Sequence, residues 1–187
     1  MPLPRALIAV RYCHTPMGSS PDVAVGSPPL TSAVALNSVS GIAEPSLRLV
    51  PAQHEDLPML EELMNLTIRP WVEVTFDRWN PAMARESIQD DVVNQRASLV
   101  LVDEEVAGVL AIRDEPQRLH IEKIYIHPDF QRRGLGTSLL SDLIARAAGR
   151  PVTLRVLLVN PARALYERLG FVVTRTTSEF HFMERRP

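Results

Sequence analysis

Cysteine, net charge and long hydrophobic runs are all scarce in this sequence. Its 187 residues include one cysteine, Cys13, which excludes an internal disulfide and a cysteine-rich zinc site. No apolar run approaches the ~20 residues that a membrane-spanning helix needs. The formal net charge of -2 lacks the basic excess of a nucleic-acid-binding surface. We therefore expect a cytoplasmic protein with no metal site, no membrane partner and no nucleic-acid partner.

The composition fits one folded domain preceded by a segment of a different kind. Hydrophobic residues make up 45% of the chain, which is enough for the core of a single domain. Residues 1–45 differ, because proline, glycine and serine interrupt each apolar stretch before a helical or strand period develops. We predict a flexible tail over residues 1–45 and a folded domain over residues 46–187.

The tail leaves three interpretations open. It carries Arg5 and Arg11 but no carboxylate before Asp22, which is compatible with an organelle transit peptide. A disordered extension or an over-long start is favoured over that interpretation. The apolar stretch at residues 7–10 is too short for the core of a secretory signal.

From residue 46 onward the hydrophobic pattern becomes regular. It predicts strand 47–50, helices 55–66 and 81–93, strands 98–102, 106–112 and 119–126, helix 136–148, strand 152–159, helix 162–169, and strands 171–176 and 178–183. Short charged turns join the three middle strands, so these must be antiparallel neighbours. The helix after residue 126 requires a parallel pair. The sequence therefore predicts an α/β fold (mixed α+β) whose central sheet is mixed, mostly antiparallel and flanked by helices.

Residues 131–137, with the sequence QRRGLGT, follow a predicted strand and open a strongly amphipathic helix. Gly134 and Gly136 let a ligand approach the backbone, since neither has a Cβ atom. The first turn of a helix presents N–H groups without partners, and its dipole favours an anion. Arg132 and Arg133 can add charge-assisted contacts to phosphate oxygens. We interpret this turn as the seat of a pyrophosphate group.

Other interpretations of the glycine turn fit less well. A P-loop ends in Gly-Lys-Ser/Thr, whereas Gly136 is followed directly by Thr137. A dinucleotide-binding fingerprint needs glycine or alanine where Leu139 stands. A nucleotide-binding protein would also need metal-binding and phosphate-transfer residues that the sequence does not place nearby, so we rank it last. An ordinary turn before a helix is the plainer alternative.

A second motif follows at residues 160–171, which read NPARALYERLGF. Asn160 suits the N-cap of a short helix, Pro161 its first position and Gly170 the left-handed site after its end. In this order and separation the two motifs resemble the GNAT superfamily of N-acetyltransferases, and together they are far more specific than either alone. The resemblance covers roughly residues 46–186, nearly all of the foldable chain.

The resemblance implies acetyl-CoA as co-substrate, and a GNAT-like sheet that splays between its fourth and fifth strands. The strand before the glycine turn would receive the pantetheine arm through its main chain. The residues implied in cofactor binding are Ile124, Tyr125, Ile126, Gln131, Arg132, Arg133, Gly134, Leu135, Gly136, Thr137, Asn160 and Tyr166. The family often dimerises through its terminal strands, so a homodimer is a further expectation.

The implied reaction needs few side chains. An amine attacks a thioester, a tetrahedral oxyanion forms, and a thiolate departs. By resemblance Tyr166 is the general acid, since a phenol with a pKa of about 10 is protonated at neutral pH. Without the motif, Tyr166 would be interpreted as a packing residue whose hydroxyl meets water.

The general base is less well defined. Strand alternation places Glu122 on one face with His120 and Ile124, opposite Lys123. By resemblance, a strand carboxylate in this region often serves as the base, although many members recruit an amine that solvent has deprotonated. His120 and His181 are further candidates because imidazole titrates near neutral pH. The plainer view is that each histidine is a solvated strand residue.

Both tryptophans, Trp71 and Trp79, lie in one segment together with Glu73 and Phe76. Aromatic rings with carboxylates between them can bind a cationic amine. We therefore assign binding of the acceptor to these four residues, with His120 as a further candidate. The alternative is a pair of helices that covers the sheet, with those aromatic residues in the core.

Two functions stay open. The leading one is an acetyl-CoA-dependent N-acetyltransferase that moves an acetyl group directly to a primary amine. The alternative is a non-catalytic, acyl-CoA-binding regulatory module of the same fold. The acceptor can be a small-molecule amine, a peptide N-terminus or a lysine, and the length of the acyl chain is also open.

Overall fold

A computed structural model describes residues 47–187, so the predicted tail, including Cys13, lies outside the described residues. The strands in this part are β1 (Leu47–Pro51), β2 (Ala97–Val102), β3 (Glu105–Glu115), β4 (Arg118–Ile126), β5 (Val152–Leu157), β6 (Val172–Thr176) and β7 (Phe180–Arg185). The α-helices are α1 (Leu57–Thr67), α2 (Arg69–Phe76), α3 (Pro81–Val93), α4 (Leu135–Arg146) and α5 (Arg163–Arg168). Within residues 47–187, none of these helices is long and apolar enough to span a membrane.

The strands form one seven-stranded sheet in the order β1-β2-β3-β4-β5-β7-β6. Neighbouring strands are antiparallel except for β4 and β5, which run parallel. The turns that join β2, β3 and β4 are too short for a helix, whereas α4 carries the chain from β4 back to the start of β5. The predicted mixed, mostly antiparallel sheet flanked by helices is confirmed.

The parallel pair separates soon after it forms. Its ladder joins residues 119–121 of β4 to residues 152–154 of β5, although β4 continues to Ile126 and β5 to Leu157. The second halves of the two strands therefore diverge and open a gap in the sheet. This gap confirms the predicted splay between the fourth and fifth strands.

Each face of the sheet carries its own core. The face covered by α4 and α5, here the α4 face, buries Leu140 and Phe171 almost fully. The face covered by α1, α2 and α3, here the α1 face, buries Leu60 and Ile88 in the same way. Burying one such side chain contributes about 1.5–3 kcal/mol. The two cores together hold the helices against the sheet, and in this way they keep the walls of the gap in place.

Hydrophobic periodicity did not predict α2 as an element of its own. The helix has eight residues, and only Ile68 separates it from α1. Pro70 lies in its first turn, where the missing N–H is not needed, and Asp77 ends it in the left-handed conformation with a φ of 58°. Eight residues give two turns of helix, which is too short for an apolar stripe to repeat.

Gly108 on β3 allows β4 to approach closely. A Cβ atom at this position would lie 2.3 Å from the carbonyl oxygen of Tyr125. A side chain there would have to push the end of β4 away, since a backbone oxygen cannot move alone. That end of β4 forms one wall of the gap, so Gly108 fixes the wall on the side away from β5.

Candidate active site

The gap between β4 and β5 belongs to a cleft of about 480 Å³. The cleft extends from the glycine turn before α4, past the diverging strands, to the junction of α1 and α2. The predicted site residues that line it are Trp71, Glu122, Ile124, Tyr125, Ile126, Gln131, Arg132, Gly134, Leu135, Gly136, Thr137, Asn160 and Tyr166. The fold thus collects around one gap residues that are far apart in the sequence.

The aromatic segment turns only Trp71 toward the cleft. Successive residues of a helix are rotated by about 100°, so Glu73 points elsewhere, and its side chain is 42% exposed. Phe76 packs in the core of the α1 face, with its ring 6.2 Å from that of Phe180, and Trp79 packs against the same core. Glu73, Phe76 and Trp79 therefore do not line the cleft, and the predicted acceptor wall is reduced to Trp71.

The glycine turn closes against the strand before it. Gln131 donates from Nε2 to the carbonyl oxygen of Ile126 at 2.8 Å. Gly134 adopts the left-handed conformation with a φ of 83°, where a side chain would be strained. The amide of Ser138 is bonded to the carbonyl oxygen of Gly134, so the three amides before it precede the intrahelical ladder. These amides and the dipole of the twelve-residue helix α4 are suited to bind an anion.

Two arginines line the cleft. Arg132 lines it beside the helix amides, and Arg168 reaches it from the end of α5. Arg133 lies over the ring of Phe130, 5.3 Å from its centroid, and does not line the cleft. Arg168 was not predicted from the sequence, because its position depends on how α5 packs against α4.

The start of α5 packs against the start of α4. A Cβ atom on Gly136 would lie 3.2 Å from Cδ2 of Leu165, so the absence of a side chain permits this approach. Asn160 accepts the N–H of Ala162 at 2.9 Å through Oδ1 and caps the turn that leads into α5. These contacts fix the helix that carries Tyr166.

Tyr166 is buried at the α4 face and lines the cleft. Its ring contacts Phe171 edge to face, with centroids 5.9 Å apart. Burial raises the pKa of the Tyr166 phenol to about 12. The hydroxyl therefore keeps its proton throughout the neutral and mildly alkaline range, as a proton donor to a leaving group must.

A bulge in β4 changes the predicted alternation at Glu122. Opposite β3, Ile112 pairs with Ile121 and Ala111 pairs with Lys123, so Glu122 is the extra residue. Ile121 and Ile124 consequently contact the same core on the α4 face. The predicted placement of Ile124 with Glu122, opposite Lys123, is wrong because a bulge shifts every later residue to the other face.

Glu122 remains on the α1 face, the face of His120. Its Oε1 lies 2.6 Å from Nε of Arg113, which is opposite His120 in the ladder, and its side chain is only 4% exposed. The geometry is that of an ion pair rather than a hydrogen bond. Burial raises the pKa of the Glu122 carboxyl, against the opposing effect of Arg113 and then of Lys123. A carboxylate of raised pKa beside the gap is suited to accept a proton.

The two histidines that the sequence offered as bases are both engaged elsewhere. His120 shares a hydrogen bond with Thr153, at 2.8 Å from Nδ1 to Oγ1, and lies outside the cleft lining. Burial, then the charges of nearby arginines, lower its pKa to about 4. His181 accepts from Arg163 at 2.8 Å through Nε2, which occupies the lone pair that a base would use. Burial and Arg163 also lower the pKa of His181.

We expect His120 to make the protein sensitive to acid. Its pKa of about 4 in the folded state lies below the unfolded value of about 6.5, so stability is lost as the pH falls from about 6.5 toward 4. The loss from this group is on the order of 3 kcal/mol. Urea unfolding of wild type and His120→Asn at pH 7.5 and 4.5 measures it. The wild type should lose more stability than the variant, whereas equal losses would contradict a buried neutral imidazole.

Several residues of the cleft were not predicted from the sequence. Thr67 and Ile68 line it from the junction of α1 and α2, Lys123 from β4, and Arg155 and Phe180 from β5 and β7. Lys123 pairs with Asp91 of α3, and both side chains are almost completely buried. The one available signal was Arg155, an arginine in a mostly apolar strand. The direction of its side chain, however, is known only once the sheet is formed.

Comparisons with known proteins agree with this geometry. The model of the acetyltransferase (GNAT) family matches residues 60–171. The cysteine-rich protein 2-binding proteins of Homo sapiens and Mus musculus are 34% identical over 62 residues, which are 33% of this chain. The chain spans only 8% of the length of those two relatives.

Solved structures show the same fold. The PaiA N-acetyltransferase of Thermoplasma acidophilum, in complex with coenzyme A, superimposes with a TM-score of 0.62 at 18% identity. That match covers 76% of this chain and 99% of the other. The ribosomal-protein-S18-alanine N-acetyltransferase of Escherichia coli has a TM-score of 0.58 at 21% identity, over 75% of this chain and 93% of the other.

Proposed function

Because this chain belongs to the acetyltransferase (GNAT) family, we propose that it transfers an acetyl group from acetyl-CoA directly to a primary amine. The single observation that carries the proposal is the cleft, which is lined by the glycine turn before α4, the diverging strands, Tyr166 and Glu122. The amides at the start of α4, with Arg132 and Arg168, suit a pyrophosphate. The main chain of residues 124–126 borders the gap and suits an extended amide-containing arm.

The proposed proton path uses one group on each side of the gap. Acetyl-CoA supplies the thioester that the acceptor amine attacks. Glu122 on the α1 face takes the proton that the amine must lose, directly or through water. Tyr166 on the α4 face donates its proton to the sulfur as the carbon–sulfur bond breaks. The phenol then regains a proton from solvent and the Glu122 carboxyl releases its proton to solvent, so the enzyme returns to its starting state.

The two groups have opposite tasks, and the environment of each favours the protonation state that its task needs. A pKa of about 12 keeps Tyr166 protonated, so it can only donate at neutral pH. The pKa of Glu122 is raised by burial while Arg113 and Lys123 oppose the rise, which favours a carboxylate that accepts a proton. Tyr166 and Glu122 thus form an acid and base pair.

The proposal is tested by following coenzyme A release and acetylated product together. Full-length protein is mixed with acetyl-CoA and a set of primary amines, and products are identified by mass spectrometry. Acetylated amine that appears in step with free thiol supports the proposal. Binding of acetyl-CoA in calorimetry without turnover of any amine would instead support the non-catalytic acyl-CoA-binding module. Failure to bind acetyl-CoA would remove both functions.

We expect Glu122→Gln to lower kcat/KM for the acceptor about a hundredfold at pH 7, since general acid or base groups contribute about 10²–10⁴. The loss should shrink at high pH, where solvent deprotonates the amine. The pH dependence of kcat/KM is the measurement. Glu73→Gln removes a carboxylate outside the cleft lining and is the matched control. A Glu122→Gln profile parallel to that of wild type would exclude Glu122 as the base.

A further inference from the structure

Two consecutive residues of β4, Glu122 and Lys123, lie on the same face of the sheet. In a regular strand neighbouring side chains point to opposite faces, but Glu122 is the extra residue of the bulge. Ile121 before the pair and Ile124 after it both contact the core of the α4 face. Glu122 and Lys123 are therefore both directed to the α1 face, and both line the cleft.

Each member of this pair contacts its own opposite charge. Oε1 of Glu122 lies 2.6 Å from Nε of Arg113 on β3. Nζ of Lys123 contacts Oδ2 of Asp91 on α3, and the two side chains are only 1% and 2% exposed. The other carboxylate oxygen of Asp91, Oδ1, accepts a hydrogen bond from Nε of Arg96 at 2.8 Å. Charges of alternating sign thus run in a chain from Arg96, just before β2, to Arg113 on β3.

Asp91 controls the effect that Lys123 has on Glu122. Without Asp91, the carboxylate of Glu122 would have two cations beside it, Arg113 and Lys123, and such a carboxylate holds a proton weakly. Asp91 offsets the charge of Lys123, so that Arg113 is left as the principal cation acting on Glu122. The pKa of Glu122 responds in these directions: burial raises it most, Arg113 and then Lys123 lower it, and Asp91 raises it.

The other elements around Glu122 leave this balance in place. Arg155 of β5 also lowers the pKa of Glu122, with the smallest effect among these charges. His120, on the same face of β4, is uncharged at neutral pH, since its pKa is about 4. Helix α1 packs against β4 and adds no buried charge, because its buried residues are all apolar: Leu57, Leu60, Leu63 and Met64.

We propose that Asp91 is a positioning residue for the general base, because through Lys123 it keeps Glu122 able to take the proton of the acceptor amine near neutral pH. This inference rests on the proposed acetyl transfer and adds to it a residue outside the cleft lining. A buried ion pair is often no more stabilising than an apolar pair of similar volume. Stability alone therefore does not account for a charged pair beside Glu122.

The experiment changes each end of the ion pair and follows the acid limb of kcat/KM, which reports protonation of the base in the free enzyme. One amine identified in the product screen serves all variants, so its own titration is common to them. Lys123→Met removes the cation and leaves Asp91 with Arg96, so the limb should move to higher pH. Asp91→Asn leaves the cation beside Glu122, so the limb should move to lower pH. We expect displacements of about one pH unit.

The combined Asp91→Asn/Lys123→Met variant shows whether Asp91 acts through its charge. With both charges removed, the acid limb should return from its position in Lys123→Met toward that of wild type. This comparison also decides the matter if Asp91→Asn alone does not fold, since the combined variant leaves no unpaired lysine in the core. A limb that stays at the Lys123→Met position in the combined variant would overturn the role of Asp91.

Arg85→Met is the matched control, because it breaks another ion pair of α3, that with Glu61 at 2.7 Å, and lies outside the cleft lining. It should leave the acid limb in place. A general loosening of the fold would lower kcat/KM at every pH without moving the limb in opposite directions. A limb that stays in place in Lys123→Met, or that moves the same way in Lys123→Met and Asp91→Asn, would overturn the inference while acetyl transfer stands.

If no amine is acetylated, urea unfolding across the pH range tests the same coupling without the activity. Each form is compared with its own Glu122→Gln version, so the titration of other groups cancels. Burial raises the pKa of Glu122 above its unfolded value, so the stability that the carboxyl contributes is present at low pH and lost as the pH rises through the folded value. The loss should end at higher pH in Lys123→Met than in the combined variant. That result would support the coupling without acetyl transfer, whereas identical profiles would overturn both.

Discussion

Replacing Gly136 with glutamate should abolish measurable binding of acetyl-CoA. Gly136 lines the anion end of the cleft in the first turn of α4, where the helix amides precede the intrahelical ladder. A glutamate would occupy that space with its own carboxylate and repel a pyrophosphate. We expect at least a hundredfold loss of affinity in calorimetry. The protein should stay folded, because a negative charge in the first turn of a helix is favourable.

Two further variants make this result specific. Ser141→Glu adds the same charge on the exposed side of α4, outside the cleft lining, and should bind acetyl-CoA like wild type. Gly136→Ala should be intermediate, since its methyl group meets only the movable end of Leu165, at 3.2 Å. Thermal unfolding of all three tests whether the fold is retained. Affinity of Gly136→Glu within threefold of wild type would show that the glycine turn is not the phosphate seat.

Removing the hydroxyl of Tyr166 should lower kcat about a hundredfold and leave the affinity for acetyl-CoA nearly unchanged, as loss of a general acid does. The ring of Tyr166→Phe still fills its place beside Phe171, so packing is preserved. The measurement is the split between kcat and the dissociation constant for acetyl-CoA, with thermal unfolding as the control. Equal kcat in wild type and variant would remove Tyr166 from the mechanism.

The pH dependence of kcat provides a second test of Tyr166. Its pKa is raised to about 12, so the proton-donating form persists until the pH approaches that value. As the pH is raised, the wild-type kcat should therefore increase while the groups that act in their deprotonated form lose their protons. The phenol should cause no descending limb below about pH 11. A descending limb near pH 10 would indicate an ordinary, solvated phenol and a different burial of Tyr166.

Much of the fold was readable from local patterns. The alternation of residues 98–126 with two short charged turns predicted β2, β3 and β4 as antiparallel neighbours, as they are. The glycine turn and the Asn160 cap were readable because caps and turns depend on a few consecutive residues. The anion end of the cleft consequently contains the predicted residues, apart from Arg133. Helix α2 was missed because two turns carry too little periodicity.

The acceptor end was not readable in the same way. The bulge at Glu122 shifts Ile124 to the opposite face, and alternation counts residues without seeing a mismatch between two strands. The rotation of α2 decides that Trp71 reaches the cleft while Glu73 does not. Both features depend on a neighbouring strand or on the sheet beneath the helix, so no single segment encodes them.

The sequence by itself determined the order of the strands along the chain, the mixed sheet and the place of the glycine turn, because period, caps and turn chemistry act over a few residues. Only the tertiary structure decided which side chains share the cleft. Gly108 of β3 contacts Tyr125 of β4, and Arg155 of β5 stacks on the ring of Phe180 of β7. Lys123 contacts Asp91 of α3, which lies 32 residues earlier in the sequence. Such contacts form only when distant segments pack, and packing is set by the whole core rather than by local propensity.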